Sequence, residues 1–142
     1  MSGDLASHYP VVIRIPIQWG EMDAYGHVNN TVFFRYFESA RIRYLERCRF
    51  VESYDRDKVG AILHSTSCRF RSPLFYPDTA VVGTRATQVG ADRFTMGYEM
   101  ASESQNAVVA EGTGIVVSYD YAARKVVPIP EQVREAIAKL EA

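Results

Sequence analysis

The sequence is poor in the residues that build metal and redox centres: two cysteines, Cys48 and Cys68, and three histidines, His8, His27 and His64, in 142 residues. Two thiols make no ligand cluster by themselves, and a three-histidine site would need all of them to converge, so neither a metal nor a cofactor is expected. A chain with two thiols and no export signal is read as reduced and cytoplasmic. GxGxxG, Walker, GxSxG, HExxH and CxxC patterns are all missing, which takes most of the weight from dinucleotide, phosphoryl-transfer, serine-hydrolase and zinc readings.

Charge of one sign is missing too. Sixteen Lys and Arg against seventeen Asp and Glu leave a formal charge of -1, without the basic excess of a nucleic-acid binder. No run approaches the ~20 apolar residues of a membrane span. Met1 to Pro10, which include Asp4 and His8, contain no signal-peptide core. The expectation is a protein without nucleic-acid or membrane partners.

What is present is an ordinary globular composition, 47% hydrophobic and 23% charged, and residues 1–142 are read as a single domain. At this length roughly 70% of the unfolded surface can be buried, enough for one core without staples. Alternation of Val11, Ile13, Ile15, Ile17 and Trp19 with Arg14, Pro16 and Gln18 predicts a half-buried strand, and Pro16 places it at an edge or bulge. Phe33, Phe34, Phe37, Ala40, Tyr44 and Leu45 follow helical spacing and predict the longest helix, with Asn29 or Asn30 as its N-cap.

From Phe50 to Gly60 the pattern is weak and predicts a loop with at most a helical turn. Strands are expected over Ile62–Phe70, Thr79–Val89, Arg93–Met100 and Ala107–Tyr121, with a short one at Lys125–Val127 and a turn at Ser72–Asp78. In the third of these, Phe94, Met96, Tyr98 and Met100 share a face. In the fourth, Ile115, Val117, Tyr119 and Tyr121 do, and Gly112 and Gly114 suggest a bend or close approach. Pro130 opens a terminal helix with Val133, Ala136, Ile137 and Leu140 as its stripe. The plan is α+β, one long helix on an antiparallel sheet whose bare face and edges invite a second copy.

Chemistry concentrates in Trp19-Gly-Glu-Met-Asp23-Ala-Tyr25-Gly26-His27-Val-Asn29-Asn30, which delivers a carboxylate to the start of the long helix. Free first-turn amides and the helix dipole favour negative charge there and can polarise a carbonyl. A carboxylate beside them could activate water or attack an acyl carbon. An Asp ahead of a helix is also a common turn former, and the residues alone leave both roles open.

The stretch Asp23-x-x-Gly26-His27-Val28-Asn29-Asn30, followed by Phe34 and Phe37-Glu38-Ser39-Ala40-Arg41, resembles the hotdog-fold acyl-CoA thioesterases of the 4-hydroxybenzoyl-CoA thioesterase type. The similarity continues through Arg71-Ser-Pro73-Leu and Tyr76-Pro77-Asp78-Thr79 to about Tyr121. It implies a long helix wrapped by a curved antiparallel sheet, a homodimer or homotetramer with active sites at the dimer interface, and acyl-CoA as substrate. It also implies Asp23 as catalytic carboxylate and the backbone amide of Asn30 as carbonyl polariser.

Glu21 stands where that family often has Asp, and Phe34 where it often has Tyr, which bears on substrate preference. Tyr25, His27 and Phe33 are assigned to the substrate site, with Thr66 from the polar run Ser65-Thr66-Ser67 and Arg93 as the contact to the nucleotide. Acyl carrier protein as the acyl donor, a non-catalytic acyl-binding module, and a hydratase using His64 are the rival readings.

Overall fold

The computed structural model describes residues 8–142. The reading of Met1 to Pro10 thus lies mostly outside the described residues. Strand β1 (Val11–Pro16) leads through a 3-10 turn (Trp19–Glu21) to the long helix α1 (Asn30–Arg47). A second helix, α2 (Phe50–Asp57), precedes strands β2 (Val59–Phe70), β3 (Thr79–Thr87), β4 (Arg93–Ser102), β5 (Ala107–Asp120) and β6 (Lys125–Val126), and α3 (Glu131–Leu140) closes the chain. The strands run antiparallel in the order β1-β3-β4-β5-β2, with β6 beside β5.

Helix α1 lies on the concave face of this sheet. Its buried side chains are Val32, Phe33, Tyr36, Phe37, Ala40, Arg41, Tyr44 and Leu45. They meet Phe94, Met96, Tyr98 and Met100 of β4, the face that alternation predicts, and Phe37 stacks on Tyr98 with centroids 4.7 Å apart. Val133 and Ile137 of α3 join the same core. Glu141, just beyond α3, accepts the Tyr44 hydroxyl at 2.6 Å and the Ala86 N–H at 2.9 Å, fastening the C-terminal end to α1 and β3.

Two expectations are corrected. Trp19 is not a buried strand residue: the chain leaves β1 after Pro16, and Trp19 is 71% exposed in the 3-10 turn. The segment after Phe50 is a complete helix, bounded by Arg49 and Lys58 at φ 72 and 62, left-handed breaks that nothing in their side chains announces. It buries Phe50 and Ser53.

On β5 the face toward α1 is that of Ala110, Gly112, Gly114 and Val116, opposite the more hydrophobic stripe of Ile115 and Tyr119. The cause is the close approach of α1: a Cβ on Gly112 would lie 2.5 Å from Phe37 Cε2 and 2.8 Å from the Ser67 carbonyl oxygen. Small residues occupy the core face there because larger ones would collide with the helix.

Among the described residues both sheet edges are unpaired. The β1 edge carries Pro16 and the charge of Arg14, which blunt it against further pairing. The β2 edge is twelve residues long, has no proline, and exposes Ile62, Leu63 and Phe70.

Candidate active site

The segment between β1 and α1 folds back on itself. Glu21 closes the 3-10 turn by accepting the Gln18 N–H on Oε1 at 2.8 Å, and the same oxygen accepts the Tyr36 hydroxyl from α1 at 2.6 Å. Burial first, and the Glu21 carboxylate second, push the Tyr36 phenol upward, so it stays a donor at neutral pH. Met22 and Val28 then form an antiparallel bridge. Between them the Asp23 N–H donates to the His27 carbonyl at 2.8 Å, and the Gly26 N–H to the Asp23 carbonyl at 3.0 Å. Gly26 sits at φ +79, a left-handed conformation that glycine adopts without steric cost.

This small hairpin presents Asp23 beside the start of α1. Asp23 Oδ1 accepts the Tyr25 N–H at 2.9 Å, and Oδ2 has no protein partner among the described residues. The Asn29 N–H donates to the Glu21 carbonyl at 3.0 Å, and the Val28 N–H to the Leu74 carbonyl at 2.8 Å. Asn29 is the N-cap: its Oδ1 accepts the Thr31 N–H at 2.9 Å and the Thr31 hydroxyl at 2.7 Å. The Val32 N–H turns to the Asn29 carbonyl at 2.9 Å. The Asn30 N–H, the first of the helix, has no acceptor among the described residues, and it sits at the positive end of the helix dipole.

Asp23, His27, Asn30 and Phe33 line a single cavity of ≈ 250 Å³, whose far wall is Phe70, Arg71, Ser72 and Pro73. Of the residues assigned from sequence, these four are brought together. His27 is exposed and packs its ring edge-on to Phe75 with centroids 5.4 Å apart, while its carbonyl holds the Asp23 N–H. Phe33 meets Phe70 edge-on at 5.1 Å, forming an apolar wall.

Three assignments fall outside this cavity. The Tyr25 side chain is 86% exposed and does not line it. Thr66 lies further along β2, its hydroxyl donating to the Thr113 carbonyl at 3.1 Å, in a cleft with Phe34, Glu38, Arg41 and Leu63. Arg93 opens β4 and pairs with Asp92 at 2.8 Å. These placements depend on how β2 and β4 pack, which local spacing does not encode.

Phe70, Arg71 and Ser72 were not assigned to the site from sequence, although the resemblance passes through Arg71-Ser-Pro73. Arg71 pairs with Glu111 at 2.6 Å. Glu38 and Arg41, three residues apart on α1, stand 4.0 Å from each other, and Arg41 is buried, donating to the Tyr98 hydroxyl at 3.1 Å.

One long helix cradled by a curved antiparallel sheet is the hotdog fold. Residues 17–137 match the family model of the thioesterase-like superfamily, and the chain belongs to that family. It is 31% identical over 129 residues, 90% of this chain and 98% of the other, to an Aquifex aeolicus (strain VF5) protein provisionally named an esterase. It is 20% identical to the long-chain acyl-CoA thioesterase FadM of Escherichia coli K12, over 89% of this chain and 96% of that one. A thioesterase of Thermus thermophilus, solved in complex with coenzyme A and Zn, superposes with a TM-score of 0.82 at 28% identity, covering 94% of this chain and 95% of that one. Among the described residues no helix is long and apolar enough to cross a membrane.

Proposed function

We propose that this chain hydrolyses acyl-CoA thioesters to a carboxylic acid and free CoA, with Asp23 as the catalytic carboxylate and the backbone N–H of Asn30 as the oxyanion donor. The observation that carries this reading is that Asp23, whose Oδ2 has no partner among the described residues, and Asn30, whose N–H has none there either, line one cavity. As the thioester carbonyl becomes tetrahedral, its oxygen gains negative charge, and the helix start is arranged in advance to receive it. Asp23 either takes a proton from the attacking water or attacks the acyl carbon itself to give an acyl-Asp23 anhydride that water then hydrolyses, and in both routes the tetrahedral intermediate collapses with loss of the CoA thiolate. Phe33 and Phe70 hold the acyl side of the substrate, and His27 supports the loop through its carbonyl.

The E. coli relative named for acyl-CoA hydrolysis and the Thermus structure holding coenzyme A support the choice of substrate. In this reading the protein is a homodimer, alone or paired into a tetramer, joined along the proline-free β2 edge with its exposed Ile62, Leu63 and Phe70. It works in the cytoplasm, where the unpaired Cys48 and Cys68 stay reduced.

The test is CoA release from a panel of short, medium, long and aromatic acyl-CoAs, read with a thiol-trapping dye, for wild type and Asp23→Asn. The expected loss in the folded variant is at least ~100-fold in kcat. Activity that survives the substitution moves the catalytic group elsewhere. A wild type silent on every ester points to an acyl carrier protein substrate or to ligand binding without turnover.

A further inference from the structure

Among the described residues Arg41 is the one charged side chain that is buried, with the residue 8% exposed on the inner face of α1. A guanidinium carries five N–H donors and keeps its proton, so burying it without a carboxylate is costly. Arg41 uses one donor on the Tyr98 hydroxyl, 3.1 Å from Nη1. That partner is neutral, because burial pushes the Tyr98 phenol up more than Arg41 lowers it. Glu38 Oε2 stands 4.0 Å from Nη2, outside hydrogen-bond range, on a side chain that is largely exposed. The other donors of Arg41 have no acceptor among the described residues.

The guanidinium lies on the wall of a cleft of ≈ 170 Å³ that it shares with Phe34, Arg35, Glu38, Leu63 and Thr66. Two arginines and one glutamate give this cleft a formal charge of +1. It adjoins the Asp23 cavity through Phe70, which walls that cavity with Phe33 and also packs edge-on to Phe34 of the cleft, centroids 6.2 Å apart.

Arg41 follows Asn30 by eleven residues of one helix, about 16 Å along its axis, and helical side chains lean back toward the N-terminus by about a turn. The guanidinium therefore stands roughly 11 Å along the helix from the amide assigned to the thioester carbonyl. An extended acyl chain held at that amide reaches it by crossing the Phe70 ring.

Resting on the proposed thioesterase reading, we infer that Arg41 binds a carboxylate at the far end of the acyl group, and that the substrates are mono-CoA thioesters of straight-chain dicarboxylic acids, roughly six to ten carbons long. A carboxylate accepts two guanidinium N–H groups in one plane and cancels the charge of the cleft. A methyl end brought to the same place would strip these donors of water and return no hydrogen bond. Phe33, Phe34 and Phe70 cover the methylenes between the two polar ends.

The test compares suberoyl-CoA with octanoyl-CoA, acyl chains of equal length with and without the distal carboxylate. Wild type is expected to favour the diacid ester by at least ~10-fold in kcat/KM, the worth of hydrogen bonds between charged groups in a buried site. Arg41→Met keeps much of the bulk and replaces the buried charge with hydrocarbon, an exchange that such sites often accept. It should lower the ratio of diacid to monoacid kcat/KM at least ~10-fold, chiefly through KM. Arg41→Lys, which has the charge without the planar fork, should fall between. A merely structural Arg41 would move both rates together and leave the ratio where it was.

A wild-type ratio of one or less overturns the inference, as does an unchanged ratio in folded Arg41→Met. Should neither variant fold, the wild-type ratio decides alone. A wild type that releases CoA from no ester refutes the underlying reaction instead. Calorimetric binding of the same two esters then judges the carboxylate site, and equal affinity for both, or none for either, overturns it.

Discussion

Replacing Gly112 by alanine tests the packing on which the fold rests. The new Cβ would stand 2.5 Å from Phe37 Cε2, 3.0 Å from Phe37 Cζ and 2.8 Å from the Ser67 carbonyl oxygen, against the 3.5 to 4.0 Å of comfortable carbon contacts. Phe37 is fully buried and held by the Tyr98 ring, and the Ser67 oxygen belongs to the β2 backbone paired with β5. Neither neighbour can yield by rotating one bond. The cost falls in the upper part of the range for overpacked cores, about 2 to 3 kcal/mol. For a domain of this size that lowers Tm by roughly 6 to 10 °C.

Gly97→Ala is the control, because a Cβ there meets nothing within 4 Å, and it should change stability by no more than ~0.5 kcal/mol. Thermal and urea unfolding of the two variants beside wild type measure the difference. Equal midpoints for Gly112→Ala and Gly97→Ala would refute the close approach of α1 to β5.

Asn29→Ala removes the acceptor of the Thr31 N–H and hydroxyl and should cost about 1 kcal/mol, with a fall in kcat as the Asn30 amide loses its position. Asn29→Ser should recover most of both in unfolding and turnover assays. A single turnover in 18O-labelled water, followed by mass spectrometry of the Asp23 peptide, tests the covalent route: label in Asp23 marks an anhydride opened at its aspartyl carbon, and where label is confined to the released acid, rapid quenching with a search for acyl-Asp23 separates an anhydride opened at its acyl carbon from direct attack by water.

Burial would raise the Asp78 carboxyl, but the Ser102 hydroxyl and the N–H groups of Ser104 and Thr79 outweigh it and hold the group below the usual carboxylate range. Its contribution is therefore complete above the unfolded carboxylate range and lost as pH falls through the folded value. Denaturant midpoints from neutral to acid pH should drop less steeply in Asp78→Asn than in wild type.

Much of the plan could be read from local spacing, and the failures share a cause. The β4 face, the Asn29 cap and the stripe of α3 were legible because each depends on a period or a neighbour within a few residues. The close approach at Gly112 was legible as a glycine inside a strand, but the element that comes close was not, because Phe37 of α1 lies far away in sequence. Helix α2 was hidden for a related reason: few of its residues are buried, and its ends are left-handed turns at Arg49 and Lys58. That Asp23, His27, Asn30 and Phe33 would lie together was legible because one short segment carries them, and they line one cavity of the candidate site. The Phe70 wall comes from a distant strand, and the burial of Arg41 under Tyr98 shows only in three dimensions.

Glu21 has a consequence for how the site tolerates change elsewhere. Its carboxylate takes the Gln18 N–H and the Tyr36 hydroxyl, and its carbonyl takes the Asn29 N–H. The loop bearing Asp23 and the helix end bearing Asn30 are thereby stitched into one cassette. Spacing between carboxylate and amide is then a local property, insulated from small adjustments in the sheet. If Asp23 and the Asn30 amide carry the reaction as proposed, substitutions on the β5 face drain stability while turnover by the molecules still folded holds, and a lineage can rework the core without retuning the reaction.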